Sequence, residues 1–477
     1  MQKALPPRKN DRIILMQNTD FKIPRRVLGS LLTSLSAGVV PRSGAPYIAI
    51  GRNDEVAALS GDLDRVAEGG GAMRFLVGRY GSGKSFLIQL TRSAAMDRGF
   101  VTADCDLSPE RRLCGSGGNG LATYKELVRN LSCKASPDGG ALPVILSKWL
   151  SGISAIVAGE GNTPGTDTFD RAMSQKIYSA CRSLESGVGG FDFSFIIAEY
   201  YKAYAAGDDE RMSVCLRWLR GEYSTRTEAR SALGVRTLSV IGDDNWYDHL
   251  KLIAAFVRLA GYKGLCVFID EGVNLYKIVN RVSREQNFEK ILAMYNDALQ
   301  GRAEGLMIIM GGTPQFLEDT RRGLFSYDAL KSRLADGAFP EAGLKNLMSP
   351  VLRLRRLSDS ELLALIMRLT LLHAQYYGYE PRVTESDMET FLKGELSRAG
   401  AAEMVTPREI IRDFLMTLDL MFQNPDADFA EILVRTGRER FLVPAEEVKE
   451  EISTTVEISA ETGTVDKDKI TLDMLEF

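Results

Sequence analysis

Residues 73–85 read Met-Arg-Phe-Leu-Val-Gly-Arg-Tyr-Gly-Ser-Gly-Lys-Ser, an apolar, strand-like run that breaks into glycines and leads into a helical pattern. The segment Gly78 to Ser85 has the spacing G-x-x-x-x-G-K-[ST]. No other feature constrains the chain as tightly, because a strand must deliver its C-terminal end directly to a helix N-terminus. Glycines at 78, 81 and 83 let backbone N–H groups turn inward to cradle phosphate oxygens, and the helix start adds its positive end. Lys84 would neutralise charge at the β- and γ-phosphates, and the Ser85 hydroxyl would face Mg²⁺. The binding set therefore comprises Gly78, Tyr80, Gly81, Ser82, Gly83, Lys84, Ser85 and Phe86, with ATP and Mg²⁺ as ligands. The bulky pair Arg79-Tyr80 would shape the mouth of the loop. The plainer reading is a glycine-rich turn carrying a surface lysine.

A phosphate cradle alone hydrolyses nothing. Gly264-Leu-Cys-Val-Phe-Ile-Asp270 is a continuous apolar run, suited to a strand buried on both faces. Asp270 at its end is placed to bind Mg²⁺, and Glu271 directly after it to polarise a water. Further strands are expected at Phe100–Asp104, at Leu306–Met310 before Gly311-Gly-Thr-Pro314, and at Val351–Arg355, whose alternation marks it as near an edge. Thr313 would reach the γ-phosphate side. Arg321 and Arg322 follow, then Ser332-Arg333, where Arg333 on an element that touches a neighbouring subunit could stabilise transition-state charge. Arg408, in Thr406-Pro-Arg, opens a C-terminal helix in which Pro suits the first turn; its side chain could close over the nucleotide. Turn, salt-bridge and helix-start roles are the ordinary alternatives for Thr313, Arg333 and Arg408.

Strands alternating with helices imply right-handed βαβ units: an α/β P-loop NTPase fold, with a mostly parallel sheet and helices on both faces. From Leu107 to about Asn245 the pattern is helical, interrupted by Gly-rich loops. The expected organisation is a basic N-terminal arm and helix over 1–46, a split ATPase core over 47–106 and 246–357, and a helical insertion over 107–245. A C-terminal helical lid follows over 358–443, with a winged helix as one form of it, and then an acidic tail over 444–477.

The 477 residues carry a net charge of −4, but the charge is unevenly placed. Lys3, Arg8, Lys9, Arg12, Lys22, Arg25, Arg26 and Arg42 face only Asp11 and Asp20 in the first 46 residues, whereas the sequence from Pro444 onward has ten acidic residues against three lysines. Either terminus could equally be plain solvated chain. Six scattered cysteines and two histidines argue for reduced, packed thiols and against a zinc cluster. No apolar stretch approaches the roughly 20 residues of a membrane span, and Met1–Arg12 lacks the apolar core of a signal peptide. The expected location is the cytoplasm, with no membrane partner.

Taken together these residues resemble an ATPase of the AAA+ type, nearest to the origin-recognition and STAND-like branches. Gly51-Arg52 with Glu55 resembles the segment that contacts adenine in that family, so the resemblance implies a binding role for Arg52. Asp270-Glu271 resembles the Walker B pair, Thr313 the first sensor, Ser332-Arg333 the finger and Thr406-Pro-Arg408 the second sensor. More closely, Gly38-Val-Val-Pro41, Ile50-Gly-Arg52, Phe75-Leu-Val-Gly78 with Tyr80–Ser85, and Thr123-Tyr124-Lys-Glu-Leu127 are similar to the ATP-binding proteins of BREX-type phage-defence loci, over roughly residues 22–415. That resemblance implies antiviral defence beside partner proteins, on DNA. Two function classes follow: an ATP-hydrolysing enzyme acting on DNA as a homo-oligomer, or a slow or non-hydrolysing STAND-like switch that scaffolds partners. Helicase-like translocation is weaker, since no paired-domain repeat is present.

Overall fold

The computed structural model describes residues 23–115, 117–185, 187–234, 238–335, 346–397 and 406–436. Along the chain these form α1 (Arg25–Ser36), α2 (Asn53–Ala67), β1 (Ala72–Val77), α3 (Lys84–Asp97) and β2 (Val101–Asp106). Seven helices follow: α4 (Asn119–Arg129), α5 (Leu142–Gly159), α6 (Asp167–Cys181), α7 (Gly190–Ala206), α8 (Asp209–Leu219), α9 (Arg226–Leu233) and α10 (Trp246–Leu259). Next come β3 (Leu265–Asp270), α11 (Val273–Tyr276), α12 (Arg281–Leu299), β4 (Leu306–Gly312), α13 (Pro314–Glu318), α14 (Asp328–Leu334) and β5 (Val351–Arg353). The remainder is helical: α15 (Asp359–Tyr377), α16 (Glu385–Leu396), α17 (Pro407–Gln423) and α18 (Phe429–Arg435). Residues 1–22 of the basic head and all of the acidic tail lie outside the described residues.

The five strands make one sheet in the order β2-β3-β4-β1-β5, and every pairing is parallel. Short β5 is an edge strand, as its alternation suggests. Parallel strands need helical crossovers that cover both faces, which is why β3 and β4 are apolar along their whole length. Alternate residues feed two cores. Met73, Phe75, Val267 and Ile308 face one; Ala72, Leu76, Phe268 and Ile309 face the other, against α2 and α3. Each such large side chain contributes about 1.5–3 kcal/mol by leaving water. Arg74 is the exception in β1. Its guanidinium donates from Nε to Asp62 Oδ2 of α2 at 2.5 Å and from Nη2 to Oδ1 at 3.0 Å, and also reaches the Ser349 carbonyl. This buried fork locks α2 onto the strand.

The helices between β2 and β3 do not build a core of their own. Tyr124, Trp149, Trp218 and Trp246 join the same buried cluster as one face of the sheet. The membrane reading needs one correction here. Among the described residues α5, with 18 residues and mean hydropathy 1.5, is long and apolar enough to cross a membrane by length and composition alone. Its Leu142, Ile145, Leu146, Trp149, Leu150, Ile153 and Val157 are buried in that core, while the exposed Val144 and Ile156 and small residues such as Gly152 and Ala155 supply the rest of the apolarity.

Two compact units result. One is Val40–Leu357; the other joins the described residues up to Val39 with those from Ser358 on. The second unit is helical throughout its described residues, with no strand among them. α15, α16 and α17 each open with a capping box, Ser358/Glu361, Thr384/Asp387 and Thr406/Glu409, which satisfies two otherwise orphaned N–H groups per helix.

Candidate active site

In the sheet unit β1 ends at Val77 and α3 begins at Lys84, so the intervening loop hands the helix N-terminus to whatever sits above the sheet. Gly81 and Gly83 have φ of 75° and 89°, a left-handed conformation that side chains resist and glycine adopts freely. The Lys84 ammonium folds over the loop and donates to the carbonyls of Gly78 at 2.9 Å and Arg79 at 3.1 Å. Burial pushes its pKa down, opposed by the charges of Asp270 and Glu271. Arg52 is buried beneath the loop, donating to Ser82 O at 2.6 Å and Arg355 O at 2.9 Å and lying 3.6 Å from Glu55. In this position it braces the backbone that forms the cradle. Tyr80 is exposed on the outside of the loop, and Phe86 in the first turn of α3 packs on the second core.

The second half of the site comes from β3. The Ser85 hydroxyl donates to Asp270 Oδ2 at 2.9 Å, while Asp270 Oδ1 accepts the Glu271 N–H at 2.8 Å. Glu271 has φ 58°, the one left-handed non-glycine among the described residues. A side chain held there costs about 1–2 kcal/mol, and such strain gathers at functional positions. Gly311 of β4 makes room for the aspartate: a Cβ there would stand 2.2 Å from Asp270 Oδ1.

β4 lies between β1 and β3, and its end is stitched to both sides. Gly78 N donates to Gly312 O at 3.2 Å and Gly272 N to Gly311 O at 2.9 Å. Thr313, the next residue, therefore sits between the loop and the acidic pair. Its hydroxyl caps α13 by accepting the Phe316 N–H at 3.2 Å, which leaves its own proton to donate. Arg333 is exposed on α14, donating to Asn296 Oδ1 at 3.2 Å and Ala329 O at 2.7 Å. Arg408 belongs to the helical unit, where it is the second residue of α17 and packs its stem against Gly38; it is not among the residues that the sheet unit brings together.

Two acidic residues escape the sequence reading. β2 runs two residues past Asp104, so Asp106 pairs in register with Asp270. Partial burial and then the charges of Asp270 and Glu271 raise the Asp106 pKa. Asp104 and Asp106 line one cleft with Arg42, Arg92, Ser85 and Glu271. The buried Arg92 closes its floor, 3.3 Å from Asp104 and bonded to Ser132 Oγ at 2.8 Å.

A family model described as BREX system ATP-binding protein BrxC/D matches residues 23–436. The chain belongs to that family. The match spans all the described residues, so it includes the loop, the acidic pair and the helical unit of this BrxC/D-family protein. No curated protein matches the chain.

ATP is thus the nucleotide to which the loop must be fitted, and the glycine-rich loop, Lys84 and the start of α3 suit its phosphates. For a divalent cation the donor set is spare: among the described residues no group of three or more His, Cys, Asp or Glu could chelate one. That suits magnesium, which keeps waters and binds through one or two protein oxygens plus nucleotide phosphates. The converging Ser85 and Asp270 oxygens are the pair that would hold it.

Proposed function

We propose that this BrxC/D-family protein is a magnesium-dependent ATPase of the AAA+ type, working in the cytoplasm on DNA, as a homo-oligomer and beside other defence proteins. The observation that carries the proposal is the 2.9 Å approach of Ser85 Oγ to Asp270 Oδ2, with Lys84 on one side and Glu271 on the other. The proposed division of labour is a split core over 47–106 and 246–357, a helical insertion over 107–245 and a helical lid over 358–443.

In this reading the loop N–H groups and Lys84 hold the β- and γ-phosphates. Magnesium, when bound at Ser85 and Asp270, supplies positive charge to the phosphate oxygens. Glu271 orients a water and takes its proton while the water oxygen bonds to the γ-phosphorus and the bond to the β–γ bridging oxygen breaks, giving ADP and phosphate. The strained backbone of Glu271 aims its carboxylate for that task. Thr313 donates to the γ-phosphate and so distinguishes ATP from ADP. Arg333 gives up its two exposed hydrogen bonds to reach a neighbouring subunit's nucleotide.

The test is ATP turnover by Glu271→Gln beside the unaltered protein. A general base contributes about 10²–10⁴-fold, so turnover should fall by that factor with ATP affinity kept. Unchanged turnover would remove Glu271 from the reaction, and a parent protein that binds ATP without hydrolysing it would make the chain a nucleotide switch.

A further inference from the structure

Arginines collect on the segments that follow Glu271 and Thr313. Behind Glu271 come α11, the turn Lys277–Asn280 and the start of α12; behind Thr313 come α13 and the turn Asp319–Arg322. The two segments are tied together. Tyr276 donates its hydroxyl to Asp319 Oδ2 at 3.2 Å, and Arg322 lies over the Tyr276 ring at 5.3 Å. Arg284 and Arg322 both donate to one carbonyl, Ile278 O, at 2.8 and 3.4 Å.

The cations of this patch are Lys277, Arg281, Arg284, Arg321 and Arg322, and the acids on the same segments are Glu285, Glu318 and Asp319. All three acids are already engaged, Glu318 by Arg353. Glu285 pairs with Arg281 at 2.8 Å on the exposed side of α12. Asp319 Oδ1 accepts the backbone N–H groups of Arg321 and Arg322 at 2.7 and 2.9 Å. Arg284 is only 6% exposed, yet it forms no ion pair among the described residues, and neither its Nε nor that of Arg322 has a hydrogen-bond partner. Burial first, and then the neighbouring Arg322, lower its pKa. A buried guanidinium beside a second one, without a carboxylate, is a costly arrangement that an incoming anion relieves. Val279 and Val282, 87% and 63% exposed, lie between Lys277 and Arg284 in the chain.

We infer that this patch is the surface by which the protein grips a nucleic-acid backbone and passes that contact to the ATP site. Guanidinium forks match phosphates in two-point contacts. Cations spread over two segments fit a row of phosphates better than a single anion, and the exposed valines offer apolar contact to sugars. Coupling follows from connectivity: each segment is rooted at a residue that reads the γ-phosphate side, and Gly272 N to Gly311 O joins the roots at 2.9 Å. The inference rests on the reading that the protein acts on DNA.

The experiment is anisotropy of a labelled DNA duplex with the full chain and Mg-ATP over a salt series, comparing parent with the Arg281→Ala/Arg321→Ala double variant. Both side chains are exposed, and ATP affinity, measured on the same samples, should be unchanged. The double variant should bind about tenfold or more weakly at low salt, with a salt slope smaller by about 2. Equal binding with an equal slope would overturn the patch and leave DNA action standing. A parent that ignores DNA at low salt overturns both, and one that instead binds polyglutamate makes the patch a site for an acidic protein.

Discussion

Ser85 and Asp270, 185 positions apart in sequence, meet at 2.9 Å through one hydrogen bond. The contact exists because β3 ends level with the start of α3, a consequence of the parallel register. It brings together two side-chain oxygens that the glycine-rich segment and the apolar strand each supply singly.

Gly311→Ala tests how tightly that contact is fitted. The added methyl would meet Asp270 Oδ1 at 2.2 Å and push the carboxylate off Ser85. Overpacking of this kind costs about 1–3 kcal/mol. Magnesium-dependent ATP affinity, by calorimetry with and without the metal, should fall about tenfold or more, converting roughly 1.4 kcal/mol per decade. The magnesium-free titration should change little.

Glu271→Gly separates strain from chemistry. Glycine accepts φ 58° without the side-chain penalty, although it adds freedom to the unfolded chain. Denaturant unfolding should show stability equal to the parent or higher by about 1 kcal/mol, while ATP turnover is lost.

Asp62→Ala tests the buried fork. Arg74 would be left charged and buried, and breaking one side of such a pair costs about 3–5 kcal/mol. A fall of that size in urea unfolding is expected, with a smaller loss for Asp62→Asn, which keeps a hydrogen-bond acceptor.

Asp106→Asn should change how stability depends on pH. Because the folded-state pKa of Asp106 is raised above 3.8, the stability linked to its proton is full below that pH and is lost as pH rises through the raised value. The asparagine variant should therefore melt at a higher temperature than the parent at neutral pH. In acid the difference should close.

The loop, all five strands and the acidic pair were legible in the sequence, because glycine spacing and unbroken apolar runs are local signals. Asp106 was not. Reading the strand as Phe100–Asp104 stopped it short at Asp104, where polarity begins, although backbone pairing with β3 carries it to Asp106. The burial of Arg74 carries no sequence signal, since its partner Asp62 lies on another element and nothing in the spacing joins them. The apolar composition of α5 hid its division into a buried face and an exposed one that carries Ser147, Lys148 and Ser151 beside Val144 and Ile156. Arg92 and Arg284 are likewise products of packing: each is an arginine whose surroundings are set by segments distant in sequence.

The central claim is that Lys84 and its loop hold the phosphates of ATP. Calorimetric titration of ATP with magnesium into the parent and into Lys84→Ala tests it most directly. One site is expected in the parent, and a loss of about 2–5 kcal/mol of binding free energy in the variant, with its melting temperature little changed. Equal ATP affinity in a folded Lys84→Ala protein would contradict it.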